Sequence, residues 1–309
     1  MKSIPYTVIG GYLGAGKTTL LNSLLRDSRG LRLAVLVNDF GDINIDADLI
    51  TSHDGETMQL ASGCICCSLA DGFMQALARL RDRADQIDHI IVEASGVSDP
   101  VKVGQYGAIL RYELDGVIVL ADAEQIREKA ANKYVGETVI RQLRGADLLV
   151  LNKVDLVTPE ELAGVHAWLE ATAPGAHIVE ARFGKVPPSV LLGDLADGRA
   201  AIESGQAYAD IHTAGDDHTD VYRTWSLALA EPVREARLKT MLDQMPEGIT
   251  RAKGFVYLEE DLDHPYVVQL VGRRWSLEKQ ESWGERRPET RLVFIGLPGS
   301  VDEIDALIA

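Results

Sequence analysis

The sequence predicts an α/β fold, a doubly wound and mostly parallel sheet covered on both faces, followed by a smaller C-terminal α+β domain. Three observations predict it. From residue 1 to about 200, short apolar runs without alternation are separated by amphipathic helical stretches, the pattern of strands buried on both faces. The first of these runs leads through a glycine-rich turn directly into a helix. Beyond about residue 220 the strand-like runs alternate instead, as half-buried strands do. A chain of 309 residues has room for two ordinary domains. The expected boundaries are 1–206 for the first domain, 207–219 for a linker and 220–309 for the second.

Taken in order, Tyr6 to Gly10 reads as the first strand. Lys17 to Arg26 is a helix with Leu20, Leu21, Leu24 and Leu25 on one face. Leu33 to Val37, Ile90 to Val92, Gly116 to Leu120 and Asp147 to Leu151 are further buried strands. Helices lie between them, among them Phe73 to Arg83 and Pro159 to Ala171. Thr158 before Pro159 has the form of an N-cap followed by a first-turn proline. The linker is small and polar. It holds His212 and His218 near Asp216, Asp217 and Asp220, but two histidines at this spacing do not define a metal site, and it reads as a hydrated connection. Val221 to Leu229 alternates, with Val221, Trp225, Leu227 and Leu229 on one face. Val233 to Met245 is an amphipathic helix. Gly254 to Leu258, Tyr266 to Val271 and Arg291 to Gly296 are strands, and Val301 to Ile308 is a short final helix.

Apolar residues make up 46% of the chain and charged residues 25%, the balance of a soluble globular protein. The net charge of −16 argues against nucleic acid as a partner, because phosphate backbones call for a basic surface. The N-terminus shows no basic segment followed by an apolar one, and no apolar run approaches the roughly 18 residues of a membrane span. The expectation is a cytoplasmic protein without a membrane partner. All three cysteines fall at Cys64, Cys66 and Cys67, and a reducing compartment would keep them as thiols.

Gly11-Tyr-Leu-Gly-Ala-Gly-Lys-Thr18 fits G-x-x-x-x-G-K-[ST] between a strand and a helix, the context that gives this motif its meaning. Backbone N–H groups of Gly11, Gly14, Ala15 and Gly16 would face phosphates, helped by the positive end of the helix and by Thr19 in its first turn. Lys17 would reach the outer phosphates and the Thr18 hydroxyl would ligate magnesium. Asn152-Lys153-Val154-Asp155 is an N-K-x-D segment at the end of a late strand. The Asp155 carboxylate can accept from both N1–H and the exocyclic amine of guanine, donors that adenine does not present. The expected nucleotide is therefore GTP, with GDP as product. Glu93 ends the strand Ile90 to Val92, a position that serves magnesium, and Gly96 three places on is placed to sense a γ-phosphate.

Three thiolates within four positions suit a soft or borderline metal: zinc(II), copper(I), cobalt(II) or iron(II). A structural zinc site normally takes four ligands in two separated pairs. There is no second pair here, so Asp39, Asp42, a histidine or solvent would complete the site. An exchangeable position suits transfer better than storage.

These motifs resemble those of the CobW-type metallochaperone GTPases. The resemblance rests on Gly10 to Asn22, on Asn38-Asp39-Phe40-Gly41 beside the family's N-E-F-G, and on Gly63-Cys-Ile-Cys-Cys67. It also rests on Glu93 to Gly96, on Asn152 to Asp155, and on Arg251-Ala-Lys-Gly254 beside the family's R-x-K-G. It covers nearly the whole chain. It implies slow GTP hydrolysis, with Lys17, Thr18 and Glu93 as catalytic residues, coupled to metal binding at Cys64, Cys66 and Cys67 and delivery to a client metalloprotein. Zinc is the expected cargo, with cobalt or iron as alternatives. Two departures stand out: Asp39 is one methylene shorter than the usual glutamate, and the linker lacks a dense histidine run. The expected mechanism is a switch in which GTP orders the segments around Asn38–Asp42 and Glu93–Gly96, and so the cysteine loop between them. The protein is expected to be a monomer or homodimer. Two rival functions are a metal-responsive binding protein timed by slow hydrolysis, and a phosphoryl-transferring kinase, which N-K-x-D disfavours.

Overall fold

A computed structural model describes residues 4–28, 31–37, 57–59, 68–193, 222–284, 287–298 and 300, with backbone alone at 57–59 and 68–72. The chain divides into two compact units, Met1–Val186 and Pro187–Ala309.

The first unit holds the strands β1 (Pro5–Gly11), β2 (Leu33–Val37), β3 (Thr57–Gln59), β4 (His89–Glu93), β5 (Glu113–Asp122), β6 (Leu148–Asn152) and β7 (His177–Ala181). They form one seven-stranded sheet in the order β3-β2-β4-β1-β5-β6-β7, and every pairing is parallel. Its helices are α1 (Lys17–Arg26), α2 (Ser68–Arg81), α3 (Pro100–Ile109), α4 (Ile126–Ala131), α5 (Gly136–Arg144) and α6 (Pro159–Thr172). The doubly wound α/β expectation is met. Strand order reverses around β1, because the chain goes first to β2 on one side and later to β5 on the other. In such sheets ligands bind beyond the carboxyl ends of the strands at this reversal.

Packing accounts for the layers. Tyr6 and Val8 of β1, with Ile90 and Val92 of β4, meet Phe73, Leu77 and Leu80 of α2 in one core cluster. Burial raises the Tyr6 hydroxyl pKa well above the ordinary value, and its neighbour Tyr112 is pushed up to about 12, chiefly by burial. The second cluster joins Val117, Val119 and Ala121 of β5 to Val139 and Leu143 of α5 and to Val165 and Leu169 of α6. The α6 start follows the sequence: the Thr158 hydroxyl accepts from Glu161 N (3.3 Å), and Glu161 Oε2 accepts from Thr158 N (2.9 Å). This is a capping box with proline in the first turn.

The second unit contains α7 (Pro188–Leu192), β8 (Arg223–Leu229), α8 (Glu235–Asp243), β9 (Ile249–Leu258), β10 (Asp261–Val271), β11 (Arg274–Lys279) and β12 (Thr290–Gly296). The strands form an antiparallel sheet in the order β11-β10-β9-β12-β8, the α+β domain expected. Leu238, Met241 and Leu242 of α8 lie against Val256, Val268, Leu292 and Phe294. Trp225 stacks on Phe294 across the β8–β12 pair at 6.1 Å. Arg251 of the R-x-K-G segment is buried and donates from Nε to the Val190 carbonyl (2.6 Å) and from Nη2 to that of Leu191, which ties α7 to β9. Trp283 is buried edge-on against Tyr257.

The expected elements are longer or shorter than read. The strand starting at Gly254 begins at Ile249, and the helix from Val233 runs only from Glu235 to Asp243, stopped by Pro246. β3, β7 and β11 went unread. The linker and the helix Val301 to Ile308 lie outside the described residues. No helix among the described residues is long and apolar enough to cross a membrane.

Candidate nucleotide site

Parallel pairing places four functional segments on one edge of the sheet. In register, Ile9 lies beside Glu93, Val37 beside Glu93, Gly11 beside Leu120 and Asp122 beside Asn152. The glycine-rich loop, Glu93, Asp122 and the N-K-x-D segment therefore leave the sheet side by side.

The loop after β1 carries Gly11, Gly14 and Gly16 at φ values of 129°, 78° and 101°. At Gly16 a Cβ would lie 2.4 Å from Asn152 Nδ2, so backbone freedom and close approach both call for glycine. Gly16 also leaves α1 with no side-chain cap. A cap is worth about 1 kcal/mol, whereas burying each of Leu20, Leu21, Leu24 and Leu25 contributes about 1.5–3 kcal/mol. Packing thus holds the helix, and the first-turn N–H groups stay available to an anion. Lys17 is buried, and its ammonium donates to the Gly11 carbonyl at 3.0 Å, folded back along the loop. The Thr18 hydroxyl lies 3.4 Å from Glu93 Oε1, and Glu93 is only 2% exposed. A hydroxyl beside a buried carboxylate at the loop's mouth is a hard-oxygen pair that fits magnesium. Ala15 is buried and Thr19 exposed.

Asn152 is buried and works as a brace. Its Nδ2 donates to Ala15 O (3.0 Å), and its Oδ1 accepts from Gly184 N (3.0 Å). One side chain thus joins the phosphate loop to the turn after β7. Lys153 has a left-handed backbone, φ 64°, and its ammonium pairs with the buried Asp122 carboxylate at 2.7 Å. Asp155, in a 3₁₀ turn (Val154–Leu156), is exposed, so its carboxylate is accessible from solvent.

Four residues of this edge escaped the sequence reading. Asp122 closes an apolar run just as Glu93 does, and that signal was present. Gly184 follows β7, which was itself unread. Lys129 donates from Nζ to Leu13 O at 2.9 Å and lies 5.6 Å from the centre of the Tyr12 ring, so a residue of α4 supports the phosphate loop. Gln142 of α5 donates to Gly96 O and Ser98 O in the loop after β4. A lysine or glutamine within a helix carries no sequence signal of such a role.

Cys64, Cys66, Cys67 and Asp39 lie outside the described residues, as does Asp42. Among the described residues no group of three His, Cys, Asp or Glu side chains is placed to hold a metal ion. In sequence the cysteines fall between β3 and α2, and so between β2 and β4, which are neighbours in the sheet.

Residues 5–180 match the family described as CobW/HypB/UreG, nucleotide-binding domain, and residues 222–309 match the cobalamin synthesis protein cobW C-terminal domain. A zinc chaperone CobW of Pseudomonas aeruginosa is 32% identical over 96% of this chain and 88% of its own length. Another zinc chaperone CobW, from a Sinorhizobium species, is 31% identical over 95% of this chain and 93% of its own length. The zinc chaperone YjiA of Escherichia coli is 29% identical over 100% of this chain and 99% of its own length.

Proposed function

Since the chain belongs to the CobW-type family, we propose that it is a GTP-hydrolysing metallochaperone that carries zinc on Cys64, Cys66 and Cys67 and hands it to a client protein. One observation carries the reading: the strand register gathers the phosphate loop, Glu93 and Asn152–Asp155 on a single sheet edge. The names of its relatives, zinc chaperones in all three cases, support zinc over cobalt or iron.

The geometry supports a role for each residue of this edge. Gly14, Ala15 and Gly16 offer N–H groups to the phosphates, and Lys17 leaves the Gly11 carbonyl for the phosphate oxygens. Thr18 and Glu93 would hold magnesium, which would supply charge neutralisation at the β- and γ-phosphates. Asp155 accepts from guanine, while Asn152 and Lys153 fix the loop that presents it. Zinc is cargo, held by thiolates; Asp39 is the proposed completing ligand. Metal uptake deprotonates thiols, so affinity falls as pH is lowered. The sequence position of the cysteines, between segments that meet the nucleotide, supports a site made and unmade with nucleotide state.

The test is the double variant Cys66→Ser with Cys67→Ser. It should lose tight zinc binding, measured by competition with a chromogenic chelator, and in zinc-free buffer keep affinity for a GTP analogue within about twofold, since neither cysteine belongs to the phosphate loop or the N-K-x-D segment. Undiminished zinc affinity contradicts the assignment.

A further inference from the structure

The loop that follows Glu93 is gripped from α5, a helix outside the phosphate-loop and N-K-x-D motifs. Gln142 of α5 is 2% exposed, and its Nε2 donates to Gly96 O at 3.1 Å and to Ser98 O at 2.7 Å. A side-chain amide has two N–H donors, so both are spent on this one loop. Its neighbour Arg141 places Nε 3.7 Å from the Asp99 carboxylate, and Asp99 caps α3 through Val101 N. Gly145, the residue after α5, allows a close approach of Val101: a Cβ there would lie 2.5 Å from Val101 Cγ2. Contacts from α5 and the glycine after it therefore reach Gly96, Ser98, Asp99 and Val101, the Gln142 hydrogen bonds being the strongest.

The other side of the loop faces the phosphate loop. A Cβ on Gly96 would lie 2.5 Å from Leu13 Cδ2 and 3.0 Å from Leu13 N. Gly96 is thus held between a glutamine behind it and the glycine-rich loop in front. A trans peptide points its C=O and N–H in opposite directions. Fixing the Gly96 carbonyl on Gln142 therefore fixes the direction of the Val97 N–H as well.

We propose that Gln142 is a positioning residue for the reaction: by holding the Gly96 and Ser98 carbonyls it sets the loop in the orientation that meets the terminal phosphate of a bound nucleotide. This rests on the GTPase reading above. Gln142 touches no reacting atom and acts through the loop. Its donor capacity is what matters, more than its bulk. Glutamate has the same shape but offers a carboxylate to two carbonyl oxygens, so it should fail where a space-filling role would let it succeed.

The test uses the full chain with magnesium, in wild type, Gln142→Leu and Gln142→Glu. Both variants should lose between about tenfold and a hundredfold in kcat, the scale of a small misplacement at a reacting group. Affinity for GDP should stay within about twofold, since Gln142 bonds to neither the phosphate loop nor Asp155. The preference for a GTP analogue over GDP should shrink in both. Equal loss of GDP and analogue binding, or a Gln142→Glu variant as active as wild type, overturns the proposal. If neither variant folds, amide exchange on the wild type decides. The analogue, compared with GDP, should change protection in residues 95–101 and in the last turn of α5 together; a change in neither overturns it. A wild type that hydrolyses no GTP refutes the functional reading instead, and the exchange comparison still judges the loop.

Discussion

Asn152 and Asp155 stand three residues apart in one motif and in opposite surroundings. Asn152 is buried and joins Ala15 of the phosphate loop to Gly184, so its task is completed within the protein. Asp155 is exposed, and base recognition is its proposed role. Replacing Asn152 would loosen the loop for any nucleotide, whereas replacing Asp155 should alter base choice alone. A hydrogen bond to a charged group contributes about 1.5–3 kcal/mol, so Asp155→Ala should weaken GTP by about tenfold to a hundredfold. ATP affinity should not fall, and thermal stability should hold. Competition between the two nucleotides measures this, and an unchanged preference for GTP would remove guanine recognition from Asp155.

At the scale of elements, what the sequence made legible and what it hid divide on physical lines. β1, β2, β4, β5 and β6 are continuous apolar runs in the middle of a parallel sheet, and such runs are visible in sequence. β7 is an edge strand bearing His177 and Glu180, and β11 is Arg-Trp-Ser-Leu-Glu-Lys; both face solvent too much to show a clear pattern. The same holds at the site. Motifs bound to backbone geometry, such as the glycine loop and N-K-x-D, were legible. Lys129 and Gln142 were not, because their tertiary contacts lie 116 and 46 positions away in the chain. Local signals also set α6, whose capping box follows the N-K-x-D segment directly. Thr158→Ala should remove about 1 kcal/mol and lower Tm by about 2–4 °C while leaving GTP binding intact. An unchanged melting curve would mean that packing alone fixes the start of α6.

At the scale of the molecule, the proposed nucleotide and zinc sites would be coupled through one end of the sheet. Val37 and Glu93 are register partners, and the cysteines lie in the chain between the strands these residues end. Nucleotide contacts at the ends of both strands would bias whatever the intervening segment adopts. Such coupling is reciprocal: if GTP tightens zinc, zinc tightens GTP by the same factor. The chain's net charge of −16 does not favour a nucleic-acid client, which leaves a protein acceptor as the proposed destination of the metal. The most direct test is a zinc titration of the magnesium-loaded protein, run in parallel with GDP and with a non-hydrolysable GTP analogue. Distinctly tighter zinc binding is expected with the analogue, and it should be lost on replacing Cys66 and Cys67. Equal zinc affinity in the two nucleotide states would contradict it.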